Sequence, residues 1–561
     1  MKISLRFLPV LCCLFLAVVR SEKTAAQEQF AFRISFTDKA GSSGNLADPG
    51  RFLSARALAR RSRQSLTVDS TDLPVSTAYT DSVLRRSHGI LHLRSRWLNH
   101  CVVLVADTTT IAALRSLPFV SSATYIAYYS SPLHYAPLPR PEPTTAAPLG
   151  ALYKSTATGI GYYGDAWDQI SLANGQYLHE KGYRGKGKII AVLDAGFRYV
   201  DVFAGFDSMR RQNRVVDTYN FTYDTSHVYA YSDHGTQVLS TMAGIIKDSY
   251  VGTAPDASYA LYMTEDNFSE QPIEMDNLVA AMERADSIGA DVVSISLGYN
   301  TFLIGSANAD LAYADLDGKS TIAARGANKA SAKGILVVSS AGNEGNNSWK
   351  KILTPGDADS AMTVGSVNMA KVHSATSGNG PNAAGRIKPD VCMLGEPSAV
   401  FGSSGNPTSI GGTSLSTPEL AGLAACLWQA LPDYRPSQLR DAIRRSAHMA
   451  DNPNNWLGYG VPDFKKLYDS LNIQPPADSS SWAVFPNPFT DHIRLSLFVN
   501  AAESLEWRLL DICGRSIYSG SAPLSLGQNN LSLELPDHFP HGIYLLHLKS
   551  NSRQAVLKLQ H

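Results

Sequence analysis

Gly411-Gly-Thr-Ser-Leu-Ser-Thr-Pro-Glu-Leu-Ala-Gly422 is the stretch on which the reading of the chain turns. Its two leading glycines let another segment approach the backbone closely. Thr413 and Ser414 stand where a helix should begin. Pro418 falls in its first turns, and Leu420, Leu423, Ala424 and Leu427 supply the apolar periodicity. A serine so placed has its hydroxyl at the positive end of a helix, facing a glycine-lined opening, which suits a nucleophile. A Thr-Ser pair is also an ordinary helix cap. The choice depends on whether a base, an orienting acid and an oxyanion donor lie upstream.

Candidates for all three do. Lys188-Ile-Ile-Ala-Val-Leu193 is a continuous apolar strand ending in Asp194-Ala-Gly196. An acid at the C-terminal end of a strand in an open α/β sheet is a typical functional position. Ser232-Asp-His-Gly-Thr-Gln-Val-Leu-Ser-Thr-Met-Ala-Gly244 puts His234 at the start of a helix. Asp291-Val-Val-Ser-Ile-Ser-Leu-Gly298 is a buried strand ending in Ser296, Leu297 and Gly298. Gly334-Ile-Leu-Val-Val-Ser-Ser-Ala-Gly-Asn-Glu-Gly345 runs from a strand into a glycine turn carrying Gly342 and Asn343. Taken singly, these are a turn aspartate, a polar cap and two ordinary turns.

Taken together and in this order, they resemble the motifs of the subtilisin-like serine proteases (subtilases). G-T-S-L-S-T-P resembles the active-serine motif of that family. H-G-T-x-V-x-x-x-x-A-G resembles its histidine motif, with Gln237 and Ser240 where His and Gly are usual. Val251-Gly-Thr-Ala-Pro-Asp-Ala257 is similar to the G-x-A-P-x-A turn that follows. Asn343 resembles the oxyanion asparagine. G-R-I-K-P-D ending at Asp390 and Gly458-Tyr-Gly-Val are further family signatures, although Cys392-Met-Leu-Gly stands where A-P-G is common. The resemblance covers about 156–470. It implies a three-layer α/β/α peptidase domain with a mostly parallel sheet over 156–471, and the chain order Asp, His, Ser is the subtilisin order.

The roles implied are Ser414 as nucleophile, His234 as general base and then acid, and Asp194 as the group that orients the imidazole. Asn343 and the Ser414 backbone N–H would stabilise the oxyanion. Ser296, Leu297 and Gly298 would pair with extended substrate, with Gly342 lining the opposite wall. The small segments 296–298 and 339–342 favour an apolar residue before the scissile bond. No metal and no cofactor is implied, and no calcium loop is recognisable. The expected function is a secreted serine endopeptidase acting through an acyl-enzyme on peptide or protein substrates. The alternative is a catalytically inactive subtilase-fold surface binding protein, or an adhesin in which the protease-like domain is incidental.

The flanks fit that reading. Residues 1–21 form an expected secretory signal, with Lys2 and Arg6 before an apolar core at 7–19 that is too short to span a bilayer. Cleavage after Ser21 or after Ala26 both suit the sequence. From 28 to 130 comes a small α/β unit with a strand at 30–36, a basic helix at 52–66, a strand at 102–105 and a helix at 108–117. It resembles subtilase propeptides, which implies a zymogen whose own propeptide is a partner. Segments 131–155 and 472–481 read as linkers. Lys plus Arg equals Asp plus Glu at 49 each, so nothing global points to nucleic acid. Cys392 and Cys426 could pair or stay as buried thiols.

From 482 to 561 the pattern changes to short alternating strands, as in an all-β sandwich. Ile493, Leu495, Leu497 and Val499 share one face, as do Leu505, Trp507 and Leu509. Phe485-Pro-Asn-Pro-Phe489 should force an extended approach to the first strand. Leu509–Arg515, His541–Leu548 and Val556–Leu559 supply later strands and a tight turn. In this order they resemble the C-terminal sorting domain of the bacterial type IX secretion system. The resemblance implies recognition by outer-membrane secretion machinery and a secreted or surface-attached product reached through the periplasm. A carbohydrate-binding module is the other β-sandwich reading of the tail.

Overall fold

The computed structural model describes residues 28–130, 159–266, 268–302 and 310–471, and in the tail 482–485, 487–489, 492–499, 502–525, 527–535 and 540–561. The expected signal and both linkers lie outside those residues.

The first unit is a four-stranded antiparallel sheet of β1 (Gln29–Phe36), β2 (Ile90–Ser95), β3 (His100–Val105) and β4 (Val120–Tyr129), in the order β2-β3-β1-β4. The alternation of β1 divides its faces. Phe32, Ile34 and Phe36 pack into the unit's own core, while Ala31 joins a cluster with Ile273 and Ala280 of the central domain. The basic helix is Ala55–Arg63, shorter than the spacing predicts. The helix expected at 108–117 is a 3₁₀ turn, Thr108–Thr110, followed by Ile111–Arg115. The helix Thr77–Ser87 and strands β2 and β4 had no clear sequence signal. In β4 the register shifts against β1, which breaks the period-2 pattern that would have announced it.

The central sheet has seven strands: β5 (Ile189–Asp194), β6 (Val215–Asn220), β9 (Ser258–Met263), β10 (Val292–Ile295), β11 (Leu336–Ser340), β12 (Met362–Val367) and β13 (Val391–Leu394). Numbers β7 and β8 belong to a short hairpin, Ile245–Ile246 with Tyr250–Val251. The order is β13-β12-β11-β10-β5-β9-β6, and every pairing is parallel. Both faces are covered, so β5 is buried along its whole length, which is why its sequence reads as an unbroken apolar run. Ile190 and Val192 face one core with the helices His234–Ala243 and Thr413–Ala430. Ile189, Ala191 and Leu193 face the other, with Ile273–Ile288 and Ile322–Ala332. This is the expected three-layer α/β/α domain.

Helical spacing also runs over 307–333, and of its described residues, 310–333, the α-helix takes Ile322–Ala332. Before it, Asp317 accepts hydrogen bonds from the backbone N–H of Lys319 and Ser320, and Gly318 has φ +92°, so a turn takes the place of a helix. Cys392 and Cys426 are free buried thiols, not a bridge; Cys426 Sγ donates to the Thr253 carbonyl.

The tail forms two antiparallel sheets. One joins β16 (Ala483–Phe485), β17 (His492–Val499) and β20 (Gly527–Glu534). The other has the order β19-β18-β21-β22, with β18 at Glu503–Leu510, β19 at Ser516–Leu524, β21 at Ile543–Lys549 and β22 at Gln554–Gln560. Ile493, Leu495, Leu497, Leu505 and Leu509 fill the core between them. The P-N-P-F segment connects β16 to β17 and so does not lead into the first strand. Asn487 within it accepts from the Gln560 N–H and donates to the Lys558 carbonyl, tying this connection to the last strand.

Candidate active site

The parallel sheet delivers the site residues to one edge. In the register, Asp194 of β5 lies beside Met263 of β9, Leu193 beside Ile295 of β10, and Ile295 beside Ser339 of β11. The C-terminal ends of four neighbouring strands therefore carry Asp194, Glu265, Ser296–Gly298 and Ser340–Asn343.

Asp194 is fully buried, and its Oδ1 accepts from its neighbour's N–H (Ala195, 2.8 Å) and pairs with His234 Nδ1 at 2.7 Å. His234 opens the helix His234–Ala243, with its N–H on Ser232 Oγ. Gly235 allows this approach: a Cβ there would sit 2.4 Å from the Gly196 carbonyl, so any side chain would push the helix off the Asp194 turn. The His234 side chain keeps 34% exposure, and among the described residues no hydrogen bond takes up its Nε2. Burial works against its imidazolium, but the charges of Asp194, Glu265 and Asp233 outweigh burial and raise its pKa to about 9.

Ser414 is the second residue of the helix Thr413–Ala430 and is half-buried. Its backbone N–H is one of the unpartnered donors that open any helix. Pro418 has no N–H to give the carbonyl four residues back, which is that of Ser414. Ser296 Oγ donates to this carbonyl instead, at 2.8 Å. The Ser414 hydroxyl returns a bond to the Ser296 carbonyl at 3.2 Å. Among the described residues no hydrogen bond joins Ser414 Oγ to His234.

Asn343 is exposed, and its orientation is fixed chemically. Its Oδ1 accepts from both the N–H and the hydroxyl of Thr413, at 2.9 and 3.0 Å. Only the oxygen can do this, so the Nδ2 amide is turned away from Thr413 with its protons unused there. Gly412 has φ +144°, and a Cβ on it would come within 3.5 Å of that Nδ2. Leu297 gives its carbonyl to Ser340 Oγ, while Gly298 and Gly342 both lie against Leu353. The structure thus brings together all eight residues singled out in the sequence. It leaves one expected contact, between nucleophile and base, unmade.

Sequence reasoning missed Glu265, whose charge acts on His234, with Glu270 and Tyr299 beside that glutamate, and Gln271, which holds Tyr128 of β4 by both its amide groups at 2.7 and 3.1 Å. The run Glu265-Asp-Asn-Phe-Ser-Glu-Gln-Pro-Ile-Glu274, with three glutamates in ten positions, was the available signal. Among the described residues no group of three or more His, Cys, Asp or Glu is arranged to hold a metal ion.

Residues 185–460 match the family model described as the subtilase family. This stretch is a subtilase domain. Ahead of it, residues 31–138 match the peptidase S8 propeptide domain of Bacteroidota, and residues 483–560 match the secretion system C-terminal sorting domain. Subtilisin E of Bacillus subtilis (strain 168) is 28% identical over 288 residues, covering 50% of this chain and 66% of that protein. The subtilisin of Bacillus pumilus is 28% identical over 282 residues, covering 50% of this chain and 90% of its own. Among solved structures, the crystal structure of MycP1 with the N-terminal propeptide removed is similar over 54% of this chain and 96% of its own, at 22% identity and a TM-score of 0.42. The matched parts are therefore a subtilase domain, a propeptide domain and a secretion sorting domain, and the last of these marks the chain for the outside or the surface of the cell.

The propeptide unit sits on the helix Ile273–Ile288 through charge. Glu283 accepts from Ser95 Oγ and from the N–H groups of Arg96 and Trp97 at 2.6–3.0 Å. Arg33 forks onto Asp276. Arg60 and Arg61, each 1% exposed, meet Asp286 at 2.5 and 2.6 Å, and Arg61 also forks onto Asp72, which Lys333 reaches from the central domain. The basic helix is thus a buried clamp, whereas a basic helix is usually a solvated face.

Proposed function

We propose that this subtilase is a serine endopeptidase, made as a zymogen, that cleaves peptide bonds through an acyl-enzyme. Ser414 Oγ attacks the carbonyl, His234 Nε2 takes its proton and passes it to the leaving amine, and Asp194 holds the imidazole with its proton on Nδ1. The Asn343 amide and the Ser414 N–H receive the oxyanion. The extended substrate lies along Ser296–Gly298 with Gly342 opposite. The observation that carries the reading is the 2.7 Å bond between His234 Nδ1 and buried Asp194, at the same strand edge where Ser414 opens a helix.

The bond from Ser414 Oγ to the Ser296 carbonyl favours the second reading, an inactive binding protein of subtilase fold. Contacts between a nucleophile and its base often tighten only when substrate is present. Labelling decides between them. A fluorophosphonate probe should modify the processed enzyme at Ser414, and Ser414→Ala should abolish both labelling and peptide cleavage. A parent protein that is folded and processed yet takes no label would leave the binding reading standing.

A further inference from the structure

Gly298 and Gly342, one from each of the two segments that would flank the substrate, meet the same side chain. A Cβ built on Gly298 would lie 2.8 Å from Leu353 Cβ and 3.0 Å from its Cδ1. One built on Gly342 would lie 2.6 Å from Leu353 Cγ and 2.8 Å from that same Cδ1. Neither position has room for a methyl group, because Leu353 already fills the space that each glycine leaves. The leucine itself is 6% exposed.

The Leu353 backbone is tied to both segments. Its N–H donates to the carbonyl of Ala341, the residue before Gly342, at 3.1 Å. Its neighbour Thr354 exchanges two bonds with Tyr299, the residue after Gly298, at 2.9 and 3.3 Å. The Leu353 carbonyl accepts from the Asp357 N–H at 3.2 Å. Residues 353–354 therefore bridge the chain ends that leave β10 and β11, and both main-chain groups of Leu353 are in use. The bond from Ser340 Oγ to the Leu297 carbonyl, at 3.1 Å, holds the same two ends together. Moving the leucine out of this place would break buried bonds, so an entering side chain cannot simply push it aside.

We propose that Leu353 is the floor of the pocket for the side chain directly before the scissile bond, and that it sets a size limit there: glycine, alanine or serine enters, and leucine or phenylalanine does not. This rests on the endopeptidase reading and narrows it to a substrate class. Small walls alone would admit an apolar side chain of any size, but here one branched side chain packs against both of them. A larger side chain would overlap Leu353 or lift the scissile carbonyl away from Ser414 and Asn343. A misplacement of about 1 Å can cost about a hundredfold in rate.

The test uses the processed enzyme and peptides that differ only in the residue before the scissile bond: Gly, Ala, Leu or Phe. The expected result is a kcat/KM at least about tenfold higher for Ala than for Phe, the scale on which an apolar pocket separates side chains by size. Leu353→Ala should raise cleavage after Phe and shrink that ratio at least about tenfold, with the Ala peptide still cleaved. If this variant does not fold, Leu353→Val should shift the ratio of Leu to Ala peptides in the same direction. Cleavage after Phe as fast as after Ala in the parent overturns the proposal. So does a Leu353 variant that slows all peptides in parallel, which is what a purely structural leucine would give. If the parent cleaves no peptide, the endopeptidase reading fails, and the pocket is read from binding of peptides that end in Ala or Phe. An Ala-ended peptide bound at least about tenfold tighter, with the difference lost in Leu353→Ala, upholds the size limit; equal Kd values in the parent overturn it.

Discussion

At the scale of single residues, His234 sets the pH range in which this chemistry can run. A general base must be neutral, and the surrounding anions favour the charged form. With a pKa raised to about 9, imidazolium dominates below that value, so kcat/KM of the free enzyme should climb as pH rises through neutrality. Glu265→Gln removes one of those anions, and the climb should then occur at lower pH. A profile that is level from about pH 6 to about pH 9 would show that the anions do not act on this imidazole. Asp194, His234, Ser414 and Asn343 were legible because each sits in a local motif that fixes its backbone. Glu265 and Tyr299 were not, because neither has a motif. Tyr299 is placed beside Glu265 only by the pairing of β10 with β5 and β5 with β9.

At the scale of elements, the helix that begins at Thr413 shows a proline serving the site by what it lacks. Pro418 frees the Ser414 carbonyl, and Ser296 takes it up. Ser296→Ala should leave that carbonyl short of a donor and cost about 1–3 kcal/mol. Pro418→Ala returns the missing N–H, so the double variant should be more stable than the two single losses added together. Denaturant unfolding of the four proteins measures the coupling, and strictly additive losses would show that Ser296 does not stand in for the helix bond. The boundaries of this helix followed from glycine, hydroxyl and apolar spacing. The stretch 310–321 had the spacing too, but Asp317 and Gly318 close a turn there. Periodicity alone does not register such local competition.

At the scale of the whole molecule, three units divide the work, the first sharing an apolar cluster with the second and the tail keeping its own core. The sandwich core of the tail is built from its own strands, and its hydrophobic cluster includes no residue of the subtilase domain. Deleting 482–561 should therefore leave an active enzyme that stays in the periplasm of a host with the matching secretion system. Undiminished export of the shortened chain would return the tail to the status of a binding module. This organisation was readable at low resolution from the proline-rich breaks and the change of period at 482. What could not be read was which charges the first unit buries, since Arg60 and Asp286 are far apart in sequence and meet only after both units fold.

That buried clamp has a consequence for the enzyme once its first unit is gone. In the zymogen, Asp276, Asp286 and Asp291 have their counter-ions built in, as Arg33, Arg60, Arg61 and Arg56. The processed form keeps these carboxylates and Glu283 on one side and must borrow mobile cations from the medium to screen them. Its shelf life should lengthen with added salt, while that of the precursor, already neutralised from within, should hardly respond.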